Sequence, residues 1–155
     1  NLTDSERPLD SRGRESAVQM GAYIVKHDLV PSIVLISPAA RACETLAILQ
    51  NEWPKSIEVV LEPIIYGASG LELLECLRKQ SEEACRVLVI GHNPGVESLA
   101  LLLDPEGPRS MIEAMERKFP TCALALFSHS NGWSTLAPGA VSLTDFVVPG
   151  DLTAG

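Results

Sequence analysis

Apolar and polar residues follow two spacings along the chain, and these predict helices interleaved with short strands. Apolar positions recur every three or four residues over 14–27, which is the period of a helix with one buried face. Continuous apolar runs at 33–36 and 87–90 are typical of strands buried on both faces. The other predicted elements are strands over 57–61, 122–127 and 133–136, a strand or surface segment over 141–148, and helices over 39–52, within 67–80, over 96–103 and over 111–118.

Alternation of helical and strand-like segments indicates an α/β layer fold. No internal repeat or low-complexity linker divides the sequence, so residues 1–155 are interpreted as a single domain. Asn131-Gly132 lies between two strand-like runs, which favours a hairpin of 122–127 with 133–136 at an antiparallel edge of the sheet. Ser37 is the expected N-cap of the helix over 39–52.

Composition narrows the functional classes. Of the 155 residues, 46% are hydrophobic and 21% charged, which suits a folded domain. The net charge of −8 argues against a nucleic-acid surface but not against a phosphate pocket, which needs only two or three arginines. No apolar run reaches membrane-spanning length. No phosphate-binding glycine loop or other cofactor motif is present, so no cofactor is expected.

The four cysteines are expected to be buried free thiols rather than a metal site or a disulfide framework. Free thiols suit a reducing compartment, so the expected location is intracellular, either cytoplasmic or organellar if a targeting peptide is removed. The chain opens on a polar stretch without Met, and we expect residues upstream of Asn1 in the natural protein.

Two predicted strands end in residues that suit phosphate chemistry. His92 follows the strand over 87–90, and Arg41 lies in the first turn of the helix after the strand over 33–36. In open α/β sheets, ligands bind beyond the carboxyl ends of the strands. Arg41 does not favour the helix dipole at that end, so its position is better explained by an anion. Either residue alone could be a surface or structural side chain; together they predict an oxyanion or phosphate pocket. Arg7, stiffened by Pro8, is a weaker third candidate.

These residues belong to a longer ordered set that resembles the SixA-like phosphohistidine phosphatases of the histidine phosphatase (phosphoglycerate mutase-like) superfamily. The resemblance covers nearly the whole chain. It rests on Arg7-Pro8-Leu9 with Gly13, Ser37-Pro38-Ala39-Ala40-Arg41 with Thr45, Leu61-Glu62, Gly91-His92-Asn93-Pro94, Pro120-Thr121, and Trp133 with Ala137-Pro138-Gly139. It implies a three-layer αβα sandwich with a mostly parallel central sheet and an antiparallel edge.

The resemblance also implies the chemistry. In that family a histidine attacks the phosphoryl group, and water hydrolyses the resulting phosphohistidine enzyme, with no metal required. By this analogy Arg7 and Arg41 bind the phosphoryl oxygens, and His92 donates a hydrogen bond to the transition state. Glu62 either protonates the leaving group or pairs with a pocket arginine.

The sequence departs from the family at the nucleophile, because no histidine in it follows an arginine. By analogy we expect the nucleophilic histidine on a central strand upstream of Asn1. The expected substrate is phosphohistidine on a protein, with a small phosphorylated metabolite as an alternative. The alternative hypothesis to a phosphatase is a non-catalytic module that binds phosphorylated groups. A mutase is less favoured than either, because the chain is short. The sequence does not indicate an oligomeric state.

Overall fold

The computed structural model describes residues 1–54 and 56–152, which form an α/β fold of six helices and five strands. The helices are α1 (Ser11–Lys26), α2 (Ala40–Leu49), α3 (Gly70–Arg78), α4 (Gly95–Leu102), α5 (Arg109–Arg117) and the short α6 (Pro149–Leu152). The strands are β1 (Ile33–Ile36), β2 (Glu58–Leu61), β3 (Val87–Ile90), β4 (Leu124–Ser128) and β5 (Ser142–Val147). Single 3₁₀ turns occupy Asp4–Glu6, Gln50–Glu52 and Pro63–Ile65.

The first sheet consists of three parallel strands in the order β2-β1-β3. Ile33 pairs with Glu58 on one side and with Val87 on the other, so the three strands end at the same edge. β1 is the central strand, and all four of its residues are buried, as the continuous apolar run predicts.

Helices cover both faces of this sheet, which gives the predicted three layers. Ile33 and Leu35 of β1 pack into one core with the apolar faces of α3 and α4. Val34 and Ile36 point the opposite way, into a second core with α1 and α2. The alternation follows from the two-residue period of a strand, which sends successive side chains to opposite faces.

The predicted hairpin of 122–127 with 133–136 is wrong. β4 pairs antiparallel with β5 instead, and residues 133–135 lie in turns. The Glu82 carboxylate accepts hydrogen bonds from the backbone N–H groups of Trp133 and Ser134, and the Trp133 indole donates to the Ala84 carbonyl oxygen over 2.8 Å. These bonds tie the segment to the loop before β3, so it is not free to extend as a strand.

The antiparallel pair does not join the parallel sheet directly. Within the described residues β3 pairs only with β1, and β4 only with β5. A slot lies between β3 and β4 and consists of two cavities of about 500 Å³ and about 350 Å³. Both cavities are lined by Leu88 and Val89 of β3 and by Leu124 of β4. β3 is only half-buried, although it is as apolar as the buried β1. We call this space the interstrand slot.

Two other expectations need correction. The cysteines are free, as expected, but Cys43 and Cys85 are exposed rather than buried. His129, which the hairpin would place at a surface tip, is half-buried and contacts the Trp133 ring with a centroid separation of 4.5 Å. In the described part of the chain, no helix combines the length and apolar character needed to cross a membrane.

Candidate phosphate site at the strand ends

His92 and Arg41 line one cavity at the carboxyl ends of the parallel strands. This cavity is the smaller part of the interstrand slot, and Thr45 and Gly91 also line it. His92 is the second residue after β3, and Arg41 is the second residue of α2, which follows β1. Since β1 and β3 are parallel neighbours, their ends bring the two side chains to the same edge.

His92 is oriented by a buried serine. Its Nε2 lies 2.7 Å from Oγ of Ser37, which is fully buried at the end of β1. The same Oγ accepts a hydrogen bond from the Ala39 N–H over 3.2 Å. Ser37 therefore meets His92 rather than acting as the predicted N-cap; the residue at the N-cap of α2 is Ala39, which provides no side-chain cap.

The Ser37 contact also bears on the histidine tautomer. The Ser37 contact engages Nε2, and a hydroxyl can either donate to this nitrogen or accept from it. When Ser37 donates to Nε2, the ring proton of the neutral imidazole resides on Nδ1, from which it can be donated to an anion. Burial, with a smaller contribution from Arg41, lowers the pKa of His92. The imidazole is therefore neutral at neutral pH in the absence of an anion.

The loop around His92 is fixed by Asn93. Its Nδ2 donates to the Phe119 carbonyl oxygen over 2.8 Å, and its Oδ1 accepts from the Glu97 N–H in the first turn of α4. The Asn93–Pro94 peptide bond is cis. The His92 side chain therefore projects from a fixed turn between β3 and α4.

Arg41 is held by Asp4, a residue that the sequence did not single out. Its Nη1 donates to the Asp4 carbonyl oxygen over 2.9 Å, and its Nη2 lies 3.2 Å from Asp4 Oδ2. The same oxygen accepts a hydrogen bond from the Tyr66 hydroxyl over 2.6 Å. The Tyr66 ring meets His92 edge-on, with 5.5 Å between ring centroids.

The other two predicted residues lie farther from this centre. Arg7 ends the 3₁₀ turn that begins at Asp4 and is exposed; its charge contributes to lowering the pKa of Asp4. Glu62 follows β2, and its charge helps to raise the pKa of Cys76, although burial of that thiol is the larger cause. Among the described residues, no hydrogen bond or ion pair joins the side chain of either residue to Arg41 or His92.

Backbone contacts hold the segment around Arg7 beside α2. The Leu9 N–H donates to Glu44 Oε1 over 2.8 Å, and Glu44 also pairs with Arg14 at 3.2 Å. Together with the Asp4 contacts, these bonds hold this segment beside α2, and Leu9, but not Arg7, lines the cavity. Within the described ranges, no group of three or more His, Cys, Asp or Glu side chains is arranged to hold a metal ion.

Comparison with known sequences identifies relatives along nearly the whole chain. No protein-family model matches it. The uncharacterized protein Rv1276c of Mycobacterium tuberculosis is 29% identical over 150 residues, which cover 96% of this chain and 92% of that protein. The uncharacterized chloroplastic protein At3g52155 of Arabidopsis thaliana is 26% identical over 163 residues, covering 96% of this chain and 71% of the relative.

Solved structures also match nearly the whole chain, and their names give a family. A candidate phosphohistidine phosphatase SixA from Nakamurella multipartitia superposes with a TM-score of 0.85 at 25% identity, covering 96% of this chain and 88% of that one. The histidine phosphatase SixA complexed with tungstate superposes with a TM-score of 0.77 at 23% identity, covering 98% and 90%. The chain therefore has the SixA fold, and the resemblance inferred from its motifs is confirmed at that level.

Proposed function

We propose that this SixA-like chain belongs to a phosphatase that removes phosphoryl groups from phosphohistidine on proteins. The observation that carries the proposal is the convergence of His92 and Arg41 on one cavity at the ends of two parallel strands. A cation and a neutral ring donor in one partly buried cavity suit a phosphoryl group. The SixA neighbours support the same class of reaction.

The nucleophile is proposed to be a histidine on a strand upstream of Asn1 that fills the interstrand slot. The slot is lined by β3 on one side and β4 on the other, and it opens at one end beside His92. A strand running parallel to β3 would end next to His92, as the chemistry requires. It would also lie beside β4 and join the two sheets into one that includes the antiparallel β4–β5 pair.

The reaction would proceed in two displacements. In the first, the nucleophilic ring nitrogen forms a bond to phosphorus while the bond to the substrate imidazole breaks, and that imidazole leaves with a proton from solvent. In the second, water attacks phosphorus, phosphate departs, and the histidine is restored. Arg41 and Arg7 would stabilise the negative charge on the phosphoryl oxygens. His92 would donate from Nδ1 to the same group.

The substrate preference rests on the leaving group. Imidazole leaves readily without a general acid, whereas an alkoxide does not. Among the described residues no hydrogen bond or ion pair joins the Glu62 carboxylate to Arg41 or His92. Phosphohistidine is the substrate that would not need Glu62 as an acid.

We also propose that the protein resides in an intracellular compartment. Four free thiols suit a reducing intracellular environment. The Arabidopsis relative is named as chloroplastic, which is compatible with an organellar location for some relatives.

Phosphate release from a phosphohistidine-bearing protein by the natural full-length protein tests the function. Arg41→Ala and His92→Ala should each reduce the rate by roughly 10²–10³-fold, the usual loss on removing one transition-state donor. His27→Ala and Arg12→Ala are the matched controls, because both residues lie outside the cavity lining. Both controls should retain wild-type turnover.

Two results would change the assignment. Phosphate binding that depends on Arg41 without any turnover would indicate a phospho-group-binding module. Turnover of a phosphomonoester in preference to phosphohistidine would move the substrate to small metabolites.

A further inference from the structure

Arg41 depends on a contact from a distant part of the chain. Asp4 lies 37 residues before it in sequence, yet the backbone carbonyl and the carboxylate of Asp4 both accept hydrogen bonds from the Arg41 guanidinium. The carboxylate oxygen that meets Arg41 also accepts from Tyr66, 62 residues after Asp4. We call Asp4, Arg41 and Tyr66 the clasp.

The charges in the clasp are well defined. The Tyr66 hydrogen bond, followed by the Arg41 bond, lowers the pKa of Asp4, so the group is a carboxylate at neutral pH. The same hydrogen bond raises the pKa of Tyr66, which remains a phenol. Tyr66 also contacts the His92 ring, so the clasp joins the Asp4 turn, α2 and the loop after β2 around one cavity.

Arg41 would be poorly ordered without Asp4. It lies in the first turn of α2, where the helix dipole offers no attraction to a cation. Its long side chain is partly exposed and has many rotamers to lose on binding a ligand. In the part of the chain that the structure describes, the clasp engages Nη1 and Nη2, and no hydrogen bond involves Nε–H.

We propose that Asp4 is a positioning residue that fixes the Arg41 guanidinium so that its Nε edge faces the phosphoryl group. This inference rests on the proposed function. Bidentate binding of phosphate by a guanidinium needs two N–H groups aimed in one plane. A side chain already held by Asp4 loses less freedom when phosphate arrives, which strengthens binding without any direct contact between Asp4 and phosphate.

The charge of Asp4 acts in the opposite direction. A carboxylate beside Arg41 repels an incoming dianion, so a simple deletion of Asp4 combines a loss of positioning with a gain in electrostatics. Asp4→Asn separates the two effects. Its amide oxygen can accept the same two hydrogen bonds, but the negative charge is gone. Asp4→Ala removes the side-chain hydrogen bonds and the charge and keeps the main-chain bond, so the difference between Asn and Ala measures positioning by the Asp4 side chain.

The experiment is titration of inorganic phosphate into the natural full-length protein and the two variants, with kcat and KM measured in parallel. Glu6→Ala is the matched control, since Glu6 is an exposed acid of the same 3₁₀ turn. We expect Asp4→Ala to bind phosphate roughly three- to tenfold more weakly than Asp4→Asn, the usual scale for immobilising one long side chain. Equal affinities of the Asn and Ala variants would overturn the proposal.

A second readout does not depend on the proposed function. The Arg41 Nε–H resonance should be sharp in the wild type and in Asp4→Asn, and broadened in Asp4→Ala. An unchanged resonance in all three proteins would refute the clasp. If the wild type binds no phosphate, the proposed function fails, and the resonance still decides whether Asp4 orders Arg41.

Discussion

Ser37 is the residue through which the orientation of His92 can be tested most directly. Its hydroxyl lies 2.7 Å from His92 Nε2, and it is fully buried, so no water can replace it without rearrangement. We expect Ser37→Ala to lower kcat by about tenfold with little change in KM, because a misdirected ring loses its bond to the transition state more than to the substrate.

Ser32→Ala is the matched control for Ser37→Ala. Ser32 lies just before the other end of β1 and makes two hydrogen bonds to the Arg86 backbone. Because Ser32 is exposed, its loss should cost no more than about 1 kcal/mol of unfolding free energy, without affecting turnover. A parallel loss of kcat in both variants, measured in the same phosphate-release assay, would show that Ser37 acts through stability alone.

Sequence reasoning placed His92 and Arg41 at the ends of two predicted strands because each lies within a few residues after a continuous apolar run. It did not identify Asp4 or Tyr66. Asp4 belongs to a polar stretch that resembles any solvated lead-in, and its partners are 37 and 62 residues away. Contacts at such separations depend on how the layers pack, which a local pattern does not contain. The roles predicted for Arg7, Arg41, Glu62 and His92 remain predictions.

At the scale of elements, a glycine allows α4 to pack closely against the loop before α3. α4 begins at Gly95, and a Cβ on this residue would collide with the Ala68 carbonyl oxygen. Because His92 lies three residues before Gly95, displacement of α4 would also move the imidazole.

We therefore expect Gly95→Ala to lower the free energy of unfolding by about 1–3 kcal/mol, as overpacking does, and to reduce phosphate release. Chemical denaturation measures the first effect. Gly150→Ala is the control, because a Cβ there meets no atom within 4 Å. Equal stability of the two variants would show that the loop and α4 are not in close contact.

Strand prediction succeeded where the signal was local and failed where it depended on a partner. Ile33–Ile36 and Val87–Ile90 were predicted to the residue, because a polar residue or a glycine bounds each end of the two apolar runs. The Asn131-Gly132 turn signal gave the wrong pairing, since it does not encode the contacts of Glu82, about 50 residues earlier, with Trp133. The partner of β4 is β5, from the segment whose role the sequence left open.

At the scale of the whole molecule, the interstrand slot predicts which backbone N–H and C=O groups of β3 are placed to bond to a further strand. Residues of a strand bond alternately to its two neighbours. The backbone carbonyl oxygens of Arg86 and Ile90 accept hydrogen bonds from β1 and from the residue that follows β1. The backbone N–H and C=O of Leu88 therefore also face β1, while those of Val89 face the slot. A strand in the slot would therefore bond to Val89.

Amide hydrogen exchange measures this directly. In the natural full-length protein we expect the Val89 N–H to be as well protected as the Leu88 N–H. In a chain that starts at Asn1, Leu88 should remain protected while Val89 exchanges rapidly, and solubility should be poor because two strand edges are open. Rapid exchange of Val89 in both proteins would argue that no strand occupies the slot.

The central claim is that a phosphoryl group passes through a histidine of this protein, and single-turnover labelling tests it most directly. The full-length protein is mixed with a substrate protein carrying labelled phosphohistidine, and the label is followed on both proteins. The account predicts that label appears transiently on this protein, on a histidine upstream of Asn1, and then leaves as phosphate. His92→Ala should slow its appearance. Release of labelled phosphate with no label ever present on this protein would contradict the account.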